Sequence, residues 1–246
     1  MNKSILTIML LTSLNAHASH TGLWRAIGAL GGQISALQAQ VNQLPQPIHY
    51  QAGPGIEIQG AVITAKLSNQ HHIGEEYRGG IVFYVDETGQ HGLIASKRDV
   101  LSDGVQWRNG PSGNKVTNAR ADGIGAGETN TRVIIAEQTI DNQKGTFAAL
   151  KAVSFQVLSD GITPCQTPIA NDSMCYGGWY LPGAFELQLM HTHLQEANLS
   201  SFAPDLYWSS TEANASKAWL IHFSTGELVA SDKSNTNARV RAISHF

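Results

Sequence analysis

Residues 175–187, Cys-Tyr-Gly-Gly-Trp-Tyr-Leu-Pro-Gly-Ala-Phe-Glu-Leu, constrain the fold of this chain more than any other stretch. Aromatic and apolar residues run up to Pro182, which suits the first turn of a helix because it has no N–H to lose there. Glu186 follows Gly183 by three positions, where a carboxylate favours the helix dipole. A Ser, Thr or Asp at position 183 would complete a capping box; Gly183 is a weaker cap. The stretch predicts a buried strand that breaks at Pro182 and turns directly into a helix from Ala184 to about Ala197. The rest of the C-terminal half is then what packs around this corner.

With 246 residues, 42% of them hydrophobic, the chain can bury a sizeable core as one large or two small domains. Residues 1–18 read as a signal peptide: a Lys near the start, an apolar run from Ile5 to Leu14, and Ala16-His17-Ala18 as a cleavage site. That run is too short to span a bilayer, and no later stretch is long enough. Export makes the two cysteines, Cys165 and Cys175, candidates for a disulfide, with two reduced thiols as the alternative. The expected location is secreted, extracellular or at a bacterial cell surface. Neither the charge balance nor any motif points to nucleic acid.

Behind the signal peptide, residues 19–45 carry a heptad seam with no miss: Leu23, Ile27, Leu30, Ile34, Leu37, Val41 and Leu44. Ile27, Ile34 and Val41 fall at a and the leucines at d, a pairing that favours a parallel dimer. Gly31, Gln33, Gln38 and Gln40 occupy flanking sites, so no ion pair sets the partner. About three heptads, with Gly31-Gly32 each costing about 1 kcal/mol against Ala, are too weak to assemble alone. A single amphipathic helix folded back on its own domain is the alternative. Pro45-Gln-Pro ends the helix, and residues 46–76 form a small β-module and linker. Its GPG turn, Ile56 and Ile58, Gly60, and Val62 and Thr64 read as a hairpin too small to bury its own face. This pattern resembles the β-modules of bacterial and phage trimeric fibres, which moves the expectation from dimer to trimer. His71-His72 in the linker reads as solvated.

From residue 77 to 246 the pattern is strands, then helices, then strands, an α+β domain whose two ends pair in one sheet. Strands are expected over residues 79–85, 90–96, 206–211, 218–223, 227–230 and 238–243, with a short one at 105–107. Helices are expected from Thr129 or Asn130 through Gln138, and from about Phe147 to Leu158. Within this span GGIVFYVDxTGQHGLIA, GIGAGxxNT, WYLPxxxEL, YWSST, AWxxxF and RVRAI occur in order, and together they resemble the DUF1566 domains, closest to the C-terminal domain of collagen-like adhesins. The resemblance implies a C-type-lectin-like or related α+β head, a trimeric coiled-coil stem, surface display and binding of sulfated glycans such as glycosaminoglycans. Three features depart from the family pattern: no collagen repeat is present, Gly183 stands where Ser is usual, and the head is not basic.

Catalysis has no motif to stand on. GxSxG, HExxH, Walker A and CxxC are absent, and Gly123-Ile-Gly-Ala-Gly127 lacks the GK[ST] ending of a phosphate loop. His191 and His193 lie two apart on a helix and cannot share an ion. The expectation is a non-enzymatic domain with no cofactor; calcium stays open, without an EF-hand spacing to support it. For a sulfated ligand the cations to converge are Lys97, Arg98, Lys115 and Arg120 in the first half, and Lys217, Lys233, Arg239 and Arg241 near the end. Arg239 and Arg241 share one strand face, equally suited to an anion or to salt bridges with Glu186, Glu212 or Asp232. Lys217 and Lys233 fall in polar loops and are expected to be the freer pair. From residue 75 onward 13 Lys and Arg face 18 Asp and Glu, so long-range steering of a polyanion is not expected and a local patch must carry any binding. Trp107, Trp179, Trp208 and Trp219 are core residues by size, or stacking platforms for a neutral saccharide. The competing reading of the whole chain is a protein-binding or structural surface component.

Overall fold

The computed structural model describes residues 20–43, 56–60, 62–65, 70–169 and 173–246. The expected signal peptide (residues 1–18), Leu44 and the expected GPG turn lie outside the described residues. The chain divides into two compact units, 1–64 and 65–246.

In the first unit, α1 (His20–Gln43) runs unbroken through Gly31-Gly32, with the Ser35 hydroxyl donating to the Gly31 carbonyl at 3.0 Å. Its apolar seam is uncovered. Leu23, Ile27, Ile34, Leu37 and Val41 are between 42% and 56% exposed, and Leu30 is half-buried. The short strands β1 (Ile56–Gln59) and β2 (Val62–Ala65) pair across Gly60, which takes φ +62. Ile56, Val62 and Ile63 are exposed, so this pair has no core of its own.

The second unit begins with β3 (Glu76–Tyr77), β4 (Gly80–Val85) and β5 (Gly92–Ser96). A long loop leads to α2 (Ala126–Thr139) and α3 (Ala148–Val153), then to the short pair β6 (Val157–Leu158) and β7 (Cys175–Tyr176). Beyond the corner come α4 (Ala184–Met190), which continues as a π-helical turn over His191–Gln195, and β8 (Leu206–Glu212), β9 (Lys217–His222), β10 (Glu227–Asp232) and β11 (Ile243–His245). The domain is mixed α+β, built on small antiparallel sheets, with four α-helices among the described residues of the chain. One sheet has the order β11-β5-β4-β3, so the two ends of the domain do pair; the other has the order β10-β9-β8.

Two buried clusters hold these layers. Trp107, Trp179 and Trp208 fill one with Phe147 and the alanines of α3; Tyr207, Phe223, Leu187 and Met190 fill the other with Phe83 and Leu93 of the first sheet. Trp219 is only half-buried. Each buried indole N–H finds a carbonyl, Trp107 at Ser209 (2.9 Å) and Trp208 at Val105 (2.7 Å). Cys165 and Cys175 form a disulfide with their Cα atoms 5.9 Å apart. No helix among the described residues is long and apolar enough to cross a membrane.

Several boundaries differ from the sequence expectation. Helix α2 starts at Ala126, ahead of Thr129, because Gly125 at φ +83 lets the chain turn into it earlier. Helix α3 stops at Val153, and Val157-Leu158 instead pairs with β7. Residues 105–107 form no strand, and residues 238–242 make only a single parallel bridge, Arg239 to Tyr207. Helix α4 ends at Met190, since the following turn widens to π geometry.

Candidate functional site

The corner is built as its local chemistry dictates, with partners drawn from far away. Tyr180 exchanges both backbone hydrogen bonds with Ile243 (2.8 and 3.0 Å), and Pro182 then ends the pairing. Three N–H groups at the start of α4 find acceptors: Gly183 donates to Glu186 (2.7 Å), Ala184 to the Thr211 hydroxyl (2.9 Å) and Phe185 to Asp122 (3.0 Å). Buried Glu186 also accepts from Gly125 (2.8 Å) and Gly127 (3.1 Å), so one carboxylate joins the starts of α2 and α4. Burial pushes its pKa up, against the pull of these three N–H groups. Gly127 has to be glycine, because a Cβ there would meet Glu186 Oε2 at 2.3 Å and Gly183 N at 2.6 Å.

The eight expected ligand cations fall into two groups. Arg239 and Arg241 do share a side, and they meet on Asp99, at 3.3 and 2.9 Å. Arg239 also binds Asp205 (2.8 Å), and Arg241 is 2% exposed, donating to the Ser96 and Ser201 carbonyls beneath the Phe202 ring. Their carboxylate partners are therefore Asp99 and Asp205 rather than Glu186, Glu212 or Asp232. The Tyr207 hydroxyl donates to Asp99 as well, and burial raises the Tyr207 pKa to about 12. Nearby, Arg98 lies over Phe155 and donates to Ile162 O, and Lys97 pairs with Glu76 at 2.7 Å. These four cations are occupied internally.

The other four gather at one end of the second sheet, on segments 115–120, 212–217 and 232–233. Glu212, fully buried, lies among these segments and accepts from the Thr117 and Asn118 amides (2.8 and 3.0 Å) and from Lys233 Nζ (2.6 Å). Lys233 is thus not a free loop cation. It is 0% exposed, stacked 4.5 Å from the Trp107 ring centroid and donating to the Lys115 carbonyl; burial lowers its pKa while Glu212 opposes the shift. Lys115 pairs with Asp141 at 2.9 Å. Arg120 is 56% exposed and stands 3.8 Å from Glu212. Lys217 is exposed and makes no side-chain hydrogen bond or ion pair among the described residues. Arg120 and Lys217 are the two cations of this end that are open to a ligand.

Other expected features are placed as follows. His191 bonds Phe223 O and His193 bonds Phe83 O, so the two imidazoles point to different carbonyls. His71 is not solvated: it lies 4.1 Å from the Tyr77 ring and 3.0 Å from Glu75, while His72 is exposed. Among the described residues no group of three His, Cys, Asp or Glu could hold a metal.

One concave site has no counterpart in the sequence reading. A pocket of about 220 Å³ opens between the β4–β5 turn, the 120–125 loop and the C-terminal strand, lined by Tyr84, Asp86, His91, Ile124, His245 and Phe246 among others. A β-bulge between Val82 and Tyr84 re-aims this end of β4.

No protein-family model matches the chain, and no curated protein matches it.

Proposed function

We propose that this chain is an exported, self-associating adhesin-like binding protein of the DUF1566 kind, with a C-type-lectin-like head that takes carbohydrate. The ligand class is a sulfated, glycosaminoglycan-like glycan. The observation that carries this reading is that segments 115–120, 212–217 and 232–233, which bear Lys115, Arg120, Lys217 and Lys233, adjoin at one end of the second sheet. In that arrangement the buried Lys233–Glu212 pair fixes the loops, and Arg120 and Lys217 present their charges to solvent. A guanidinium can grip one sulfate in a bidentate way while an ammonium adds point charge. Two cations make a weak site, so the reading includes a parallel trimer through the exposed seam of α1, which repeats the site three times on one glycan chain. Disulfide formation between Cys165 and Cys175 fits an oxidising, extracellular setting.

The test is retention of the purified chain on immobilised heparin at low salt, with Arg120→Ala/Lys217→Ala beside it. Retention that the double variant loses supports the proposal. A folded wild-type chain that flows through removes the sulfated-glycan reading and favours a protein-binding or structural role.

A further inference from the structure

We propose that the pocket formed by Tyr84, Asp86, His91, Ile124, His245 and Phe246 binds one uncharged pyranose ring, independently of the Arg120–Lys217 end. Saccharide recognition needs an apolar platform for the C–H face of the ring and, around its rim, planar polar groups that accept and donate to hydroxyls. Both are present. The Phe246 ring is braced from behind by His71 and Tyr77, at centroid distances of 4.8 and 5.3 Å. Its backbone is locked to Gly92 by a reciprocal pair of hydrogen bonds (3.1 and 3.2 Å), and a Cβ at Gly92 would meet the Tyr84 carbonyl oxygen at 2.0 Å and the Phe246 ring at 2.7 Å. The platform is therefore preorganised, which limits the ordering cost on binding. Ile124 adds a second apolar edge and is 43% exposed.

Part of the polar rim is left unoccupied by the protein itself. Asp86 uses Oδ1 to hold its own turn, accepting from the Thr88 hydroxyl (2.7 Å) and amide (3.1 Å), which leaves Oδ2 without a partner among the described residues. Those hydrogen bonds, that of the Thr88 hydroxyl foremost, keep the carboxyl below its usual pKa and hence ionised. The Tyr84 hydroxyl and the His91 ring have no hydrogen-bond partner among the described residues. His245 commits Nε2 to the Tyr180 hydroxyl (3.0 Å), beside Glu128 at 3.6 Å, so its Nδ1 is the free nitrogen. The volume suits one sugar ring rather than a drug-sized ligand, whose pockets run ~300–1,000 Å³. The Asp86 charge opposes an anion, so sulfate and this pocket do not compete.

The experiment is saturation-transfer NMR on the full chain with the methyl glycosides of glucose, galactose, mannose and N-acetylglucosamine, followed by titration of any that respond. Transfer to ring protons of at least one glycoside is expected. Its affinity should fall about tenfold or more in Asp86→Asn, which keeps the Oδ1 acceptor of the turn and changes the free Oδ2, and in Tyr84→Phe. Arg120→Ala/Lys217→Ala should leave it unchanged, which separates this site from the heparin result. No transfer to any of the four from the folded chain overturns the proposal. So does transfer that survives both pocket substitutions.

Discussion

Lys233 is a charged side chain held inside the second unit. It is wholly buried, and among the described residues Glu212, the Lys115 carbonyl and the Trp107 face compensate its charge. Removing one partner of such a pair strands the other, so Lys233→Met should cost about 3–5 kcal/mol in a urea titration. Arg239 is 25% exposed, and solvent screens its pairs with Asp99 and Asp205; Arg239→Met should cost well under half as much. Asp160 offers a pH reading. The Thr163 hydroxyl and the Ile162 and Thr163 amides lower its pKa from 3.8 to about 2. A depressed carboxylate contributes stability above its unfolded value that is lost as pH falls through its folded one. The difference in melting temperature between wild type and Asp160→Ala should therefore be constant above about pH 5 and shrink between pH 4 and pH 2. Nothing in the residues flanking Lys233 announces its burial. Asp232, Ser234 and Asn235 read as a polar loop, and only the closing of Trp107 and Glu212 over the side chain, from far along the chain, makes it internal.

At the scale of elements, the corner was the most legible part of the chain because its signals are local. Pro182, the N-cap at Gly183 and Glu186 three positions on place the start of α4 at Ala184, as expected. The second task of Glu186, accepting from Gly125 and Gly127, was not legible because those donors lie about sixty residues away. For the same reason the early start of α2 was missed. Gly127→Ala should disturb both helix starts at once and cost about 2–3 kcal/mol, measured by urea unfolding, since the atoms its Cβ meets are largely backbone. The Cys165–Cys175 bridge closes a loop of ten residues' separation, and the chain-entropy argument puts its contribution at about 3 kcal/mol. Unfolding with and without reductant should show a loss of that order.

For the whole molecule, the pairing of the two domain ends followed from strands at both ends of the sequence and is present as β11 beside β5. The pocket was not legible, because it depends on a bulge in β4 and on the last residue of the chain folding back over Gly92. The division of the cations was only half legible. Arg239 and Arg241 share a side as their spacing dictates, yet Asp99 takes both, while Lys115, Arg120, Lys217 and Lys233 are united by loops whose path no periodicity encodes. The most direct test of the proposed binding role is calorimetric titration of the full chain with a size-defined heparin oligosaccharide over a range of salt concentrations. Measurable binding that weakens steeply with salt, and that Arg120→Ala/Lys217→Ala reduces by about tenfold or more, is the predicted result. Absence of binding by the folded chain, or equal affinity in the double variant, would contradict it.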